Sequence, residues 1–179
     1  MGMATHASIE IGAPPDVVFR WLIEPQKLTV WLGGAGAMPP DTSLLKVGYV
    51  GMSQIQAPGG SSRDAVLRVT AYSPPTKFSF TMSYPGGTST TAYTLSNHSG
   101  TTTLTVASQT DMGATDTSAV ERLLEHQPRL LRWFVHHQMR TMEAKLAHGD
   151  FDTATQKQIQ SGLDDTLAKL KTAIEGQHP

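Results

Sequence analysis

The 179-residue chain carries 14 lysines and arginines against 15 aspartates and glutamates, a formal charge of −1, and no cysteine. A near-neutral chain with no basic block makes nucleic acid an unsuitable partner, and without thiols neither disulfides nor thiolate metal sites can form. This length suits one well-buried core plus an appendage, and no apolar run approaches the roughly 18 residues that a membrane-spanning helix needs.

Met1-Gly2-Met3-Ala4-Thr5-His6 lacks the basic and apolar regions of a secretion signal, so a cytoplasmic location is expected. A short alternating strand ends at Gly12. Pro14-Pro15 then opens an amphipathic helix with Val17, Val18, Trp21 and Leu22 on one face. Glu24-Pro25 stops that helix, and Leu28, Trp31 and Leu32 suit a second short one. Gly33–Pro40 is rich in Gly, Ala and Pro and reads as a mobile lip that gates whatever lies beneath it.

A run of strands follows. Lys46–Ile55 is the first, loosened by Gly48 and Gly51, and Arg63–Tyr72 is the second, ended by Ser73-Pro74-Pro75. Phe78, Phe80, Met82 and Tyr84 alternate with polar residues, the pattern of a half-buried strand. Thr91–Leu95 leads to a turn at Asn97-His98-Ser99-Gly100, and Thr102–Thr110 returns with Leu104, Val106 and Ser108 on one face. Short turns join all of these runs, so the sheet is antiparallel with one face inward.

From Ser118 the apolar period changes to 3.6, and Thr117 or Ser118 can cap the start with Glu121 reaching back. The stripe includes Leu124, Leu131, Phe134, Met139 and Met142. Pro128 interrupts it, which predicts a short helix to about Gln127 and a long one from Pro128 to about His148. Asp152–Glu175 reads as a further helix with Ile159, Leu163, Leu167, Leu170 and Ile174 in line. A lone helix is marginal in water, so it must dock on its own domain or on a partner chain, the latter making a homodimer. The expected organisation is a domain over 1–149 and an additional amphipathic helix over 150–179.

The order strand, Ala13-Pro14, helix, Glu24-Pro25, helix, Trp31 resembles the opening of the SRPBCC superfamily (START-like, birch-pollen-allergen-like). Val69…Pro74-Pro75-Thr76-Lys77-Phe78-Ser79-Phe80 and Tyr93-Thr94-Leu95…Gly100-Thr101-Thr102-Thr103-Leu104-Thr105-Val106 extend the resemblance. It covers about residues 5 to 148 and is nearest the polyketide cyclase/dehydrase and chaperone-ATPase-activator branches. The resemblance implies an α+β helix-grip fold, a curved antiparallel β-sheet wrapped around a long C-terminal helix and enclosing an apolar cavity. The extra C-terminal helix is not part of that pattern. Some members are aromatase/cyclases and dehydratases of polyketide-like substrates, and others bind or carry lipids and hormones.

Chemistry-bearing motifs are sparse. There is no nucleophile elbow, no phosphate-binding Gly loop and no His-Glu-x-x-His. His136 and His137 are helical neighbours pointing about 100° apart, so they cannot share a metal. No metal and no cofactor is expected. Asp64 and Arg68 share a strand face and read as a solvated pair.

Tyr84 and Tyr93 follow the alternation of the apolar face, with Ser108 and Thr110 continuing the side of Val106. Gln127 and Gln138 fall mid-stripe on the helices, where an amide needs a bonding partner. The expected ligand lining is Phe78, Phe80, Met82, Tyr84, Tyr93, Leu104, Val106, Ser108, Phe134, Gln138 and Met142. Tyr93, Gln138 and Tyr84 are the catalytic candidates.

Two readings stay open. In one, the protein holds an apolar or aromatic, polyketide-like molecule in an internal cavity, with cyclisation or dehydration as its chemistry if it is an enzyme. In the other it is non-enzymatic, an interaction module of the chaperone-activator type or a carrier of a hydrophobic ligand.

Overall fold

A computed structural model describes residues 2–33, 38–56, 62–84, 87–111 and 153–176. The helices expected between Ser118 and His148, with Gln127, Phe134, Gln138 and Met142, lie outside these residues. So does most of the expected lip, of which Gly33 and Met38–Pro40 are described.

Strand β1 (Gly2–Ile11) runs into two short helices, α1 (Pro15–Ile23) and α2 (Pro25–Leu32). Pro14 is extended, and Pro15 occupies the first helical turn, where its missing amide has no intrahelical partner to lose. Glu24 precedes Pro25 and is held extended at ψ 122°, which ends α1 and starts α2 at once. Gly33 closes α2 in the left-handed region at φ 77°, a conformation costly for any residue with a Cβ.

The break between α1 and α2 has a specific repair. In a continuous helix the Trp21 carbonyl would accept from the amide of residue 25, and proline has none. The indole Nε1–H of Trp31 donates to that carbonyl instead, at 3.0 Å and buried. Trp21 and Trp31 are both buried in the core.

A single 3-10 turn (Thr42–Leu44) precedes the remaining strands: β2 (Val50–Gln56), β3 (Ser62–Ser73), β4 (Lys77–Tyr84), β5 (Gly87–His98) and β6 (Thr101–Asp111). They form one open, curved six-stranded sheet in the order β1-β6-β5-β4-β3-β2, antiparallel throughout. The expected strands are all present, with β2 starting later and β5 running longer than the sequence suggests. β5 and β6 meet in a two-residue turn, with Ser99 at φ 53° and Gly100 at φ 86°. Two positive φ values match the right-handed twist of a tight hairpin. The Asn97 side chain accepts from the Gly100 amide at 3.2 Å and holds the turn.

One irregularity shapes the inner face. Val69 pairs with Phe80 but Ala71 pairs with Ser79, so Thr70 is an extra residue and a bulge interrupts β3. Before the bulge Ala65, Leu67 and Val69 face inward and are buried. After it the parity shifts, and Tyr72 comes opposite Phe78.

The C-terminal helix α3 (Thr153–Glu175) packs on β1, α1 and α2. Leu167, Leu170 and Ile174 are buried in the same core as Ile11, Trp21, Phe78 and Leu104, so the helix docks on its own domain. Gln160 Nε2 donates to the His6 carbonyl at 3.1 Å, and Glu175 Oε1 accepts from the Gly12 amide at 2.8 Å. The helix therefore runs alongside β1, the edge strand of the sheet, and satisfies backbone groups there.

Candidate functional site

The inner face of the sheet divides into two regions. Near α1 it is aromatic: Phe19 of α1 lies 5.9 Å from Tyr72, and Tyr72 meets Phe78 edge-on at 6.3 Å. Phe78 then stacks nearly parallel on Tyr93, its cross-strand partner, at 6.2 Å. Phe80 closes the group at 5.5 Å from Phe78 and 6.3 Å from Tyr93. Such tilted and stacked pairs suit the ring quadrupoles and add to the burial energy.

This row of rings leads from the core to an accessible surface. Phe78 is fully buried, as are Leu104 and Val106, which form the floor beneath the helices. Phe80, Met82, Tyr84, Tyr93 and Ser108 are half-buried, and these are the members of the expected lining whose side chains a ligand could touch. Burial pushes the phenol of Tyr93 up to about 12, so it is a neutral hydrogen-bond donor at any physiological pH. Desolvation also raises Tyr72 above the usual tyrosine value.

Beyond Tyr93 the inner face becomes hydroxylic. Thr91 and Ser108 face each other with their hydroxyl oxygens 3.3 Å apart, and Thr110 donates to Ser89 at 3.3 Å. The sequence reading placed Ser108 and Thr110 here but overlooked Thr91, Ser89 and Tyr72. Counting back in twos from Tyr93 along β5 finds the first two. Tyr72 depends on the bulge, and no spacing in the sequence announces it. Asp64 and Arg68 lie on the outer face, exposed.

An antiparallel six-stranded sheet flanked by helices, with one chain end packed as a helix on it, is an α+β helix-grip fold of the SRPBCC type. The chain belongs to the family described as polyketide cyclase / dehydrase and lipid transport, which it matches over residues 4–175. That span takes in α3, where the resemblance read from the sequence stops near residue 148.

Among solved structures, the chain is similar to DynU16, a protein of the dynemicin biosynthetic locus, at 16% identity and a TM-score of 0.57. The alignment covers 96% of this chain and 47% of DynU16, so the chain spans about half the length of that protein. It is similar also to MLL2253 from Mesorhizobium loti, at 16% identity and a TM-score of 0.56, over 97% of this chain and 99% of that one. A protein from Arthrobacter aurescens shares 13% identity at a TM-score of 0.55, over 96% and 85%. At such identities the likeness is one of fold. No curated protein matches the sequence significantly.

Proposed function

We propose that this protein binds a hydrophobic, aromatic, polyketide-like small molecule on the inner face of the sheet, against Phe80, Met82, Tyr84, Tyr93 and Ser108. The observation that carries this reading is the row of rings from Phe19 through Phe78 to Phe80 and Tyr93, whose outer members keep accessible surface. Rigid stacked rings form a flat apolar surface at little entropic cost, and such surfaces hold planar ligands well. Family membership supports the same class of ligand. The places of Phe134, Gln138 and Met142 in this lining rest on the sequence alone.

Cyclisation of a flexible chain asks chiefly that reacting atoms be held together, which a shaped apolar surface supplies. Tyr93 keeps its proton and would donate to a carbonyl oxygen, polarising it. The test is titration of the full-length protein with a hydrophobic fluorophore and a series of aromatic polyketides. Saturable binding that weakens in Phe80→Ser supports the proposal. A flat titration for every compound would refute it.

A further inference from the structure

The change of chemistry along β5 and β6 bears on which ligand this face would take. Moving away from the rings, the inward positions are Tyr93, then the Thr91/Ser108 pair, then the Ser89/Thr110 pair. Inward residues on one strand are about 7 Å apart, so these hydroxyls form a track about 14 Å long. All five side chains are half-buried. On the β4 side the track is bordered by Phe80, which pairs with Thr91, and Met82, which pairs with Ser89.

Tyr93 marks the head of this track. Among the described residues nothing hydrogen-bonds to its hydroxyl, although burial withdraws the group from water. A desolvated phenol with no hydrogen-bond partner among the described residues is a group that a ligand oxygen would satisfy.

The track is also uncharged. Its five residues, and Phe80 and Met82 beside them, include no Asp, Glu, Lys, Arg or His; the one charged residue at an inward register position on the described strands, Arg63, stands on β3, beyond the β4 border. Hydroxyls both donate and accept, so they serve ligand hydroxyls and carbonyls equally. An ionised carboxylate or phosphate would lose hydration here and meet no opposite charge among the residues of the track. We propose that the hydroxyl track selects a neutral ligand whose hydroxyl and carbonyl oxygens line one edge, with its bare ring surface against Phe80 and Met82. This rests on the ligand-binding reading above and deepens it.

The test uses three probes on one ring framework, read by tryptophan fluorescence of the full-length protein. They are anthracene, 1,8-dihydroxyanthraquinone and anthraquinone-2-carboxylate. The dihydroxy compound is expected to bind roughly tenfold more tightly than anthracene, the equivalent of about one satisfied hydrogen bond. The carboxylate is expected to bind more weakly than either. In the near-isosteric double variant Thr91→Val/Ser108→Ala the preference for the dihydroxy compound over anthracene should fall to within about twofold.

Tyr93→Phe, which removes one oxygen and keeps the ring, should reduce the same preference. Thr90→Val serves as the control, since Thr90 bonds Thr81 on the outer face and should alter nothing. Preference retained in both inner-face variants, or tightest binding by the carboxylate, would overturn the proposal. If none of the three probes binds the wild-type protein, the broader ligand-binding reading falls, and this one with it.

Discussion

The Trp21 carbonyl needs a donor that Pro25 cannot supply, and the Trp31 indole is the group that supplies it. Trp31→Phe keeps most of the apolar volume and removes that donor. A buried carbonyl left unpaired costs about 1–3 kcal/mol, so denaturant melts should show a loss of that order. Thr102 acts similarly across the sheet, donating its buried hydroxyl to the Ala13 carbonyl at 2.6 Å and fixing where β1 hands over to α1.

Tyr93 allows a prediction with a definite sign. Its folded-state pKa is raised, so the unfolded chain gives up the proton first as pH rises. The associated stability is fully present below about pH 10 and is lost as pH climbs towards 12, by at most about 2–3 kcal/mol. Tyr93→Phe should flatten that alkaline slope in urea melts. Absorbance titration of the wild type should show a late alkaline ionisation that Tyr93→Phe removes.

At the scale of elements, α3 owes its stability to the apolar stripe buried against β1 and the two short helices. Leu170 is fully buried there, and Leu170→Ala should cost about 2–5 kcal/mol in thermal or chemical melts. The β5–β6 turn carries a correctable strain. Ser99 sits at φ 53°, where a Cβ is unwelcome, so Ser99→Gly should raise stability by up to about 1 kcal/mol.

The two edges of the sheet differ. β1 is flanked by α3, whereas β2 has no described strand beyond it and presents Val50 and Met52 outward at 47% and 73% exposure beside Val66. An exposed apolar edge is a template for self-association. Met52→Lys should leave the melting temperature within the small range typical of surface changes and should reduce light scattering at high concentration.

For the molecule as a whole, binding and folding are linked by mass action. A ligand held by the inner face and present at a hundred times its dissociation constant should stabilise the fold by about 2.7 kcal/mol. Thermal shift with the dihydroxyanthraquinone reads that gain directly, and anthraquinone-2-carboxylate at the same concentration should give less.

Much of this architecture is legible in the chain itself. Period-two alternation marks β4 and β6, Pro-Pro and Glu-Pro punctuate the two short helices, and the heptad-like stripe marks α3. These signals are local, because strand pleat and helix pitch act on residues a few positions apart. From them followed the antiparallel sheet, the two core tryptophans and the inward placement of Tyr84, Tyr93 and Ser108.

Which of those inward residues are sealed and which are open was decided only by the fold. Phe78, Leu104 and Val106 have the same alternation as Phe80 and Tyr93, yet the first three are buried and the last two are accessible. That difference depends on where helices cover the sheet, a contact between segments far apart in the chain. The bulge at Thr70 likewise turns Tyr72 inward by an extra residue that propensity does not reveal. The docking of α3 on its own domain was an open choice in the sequence, because an apolar stripe states that it must be covered and not by what. Local periodicity determined the elements and their buried faces; long-range packing decided which face is covered, and so where a ligand can reach.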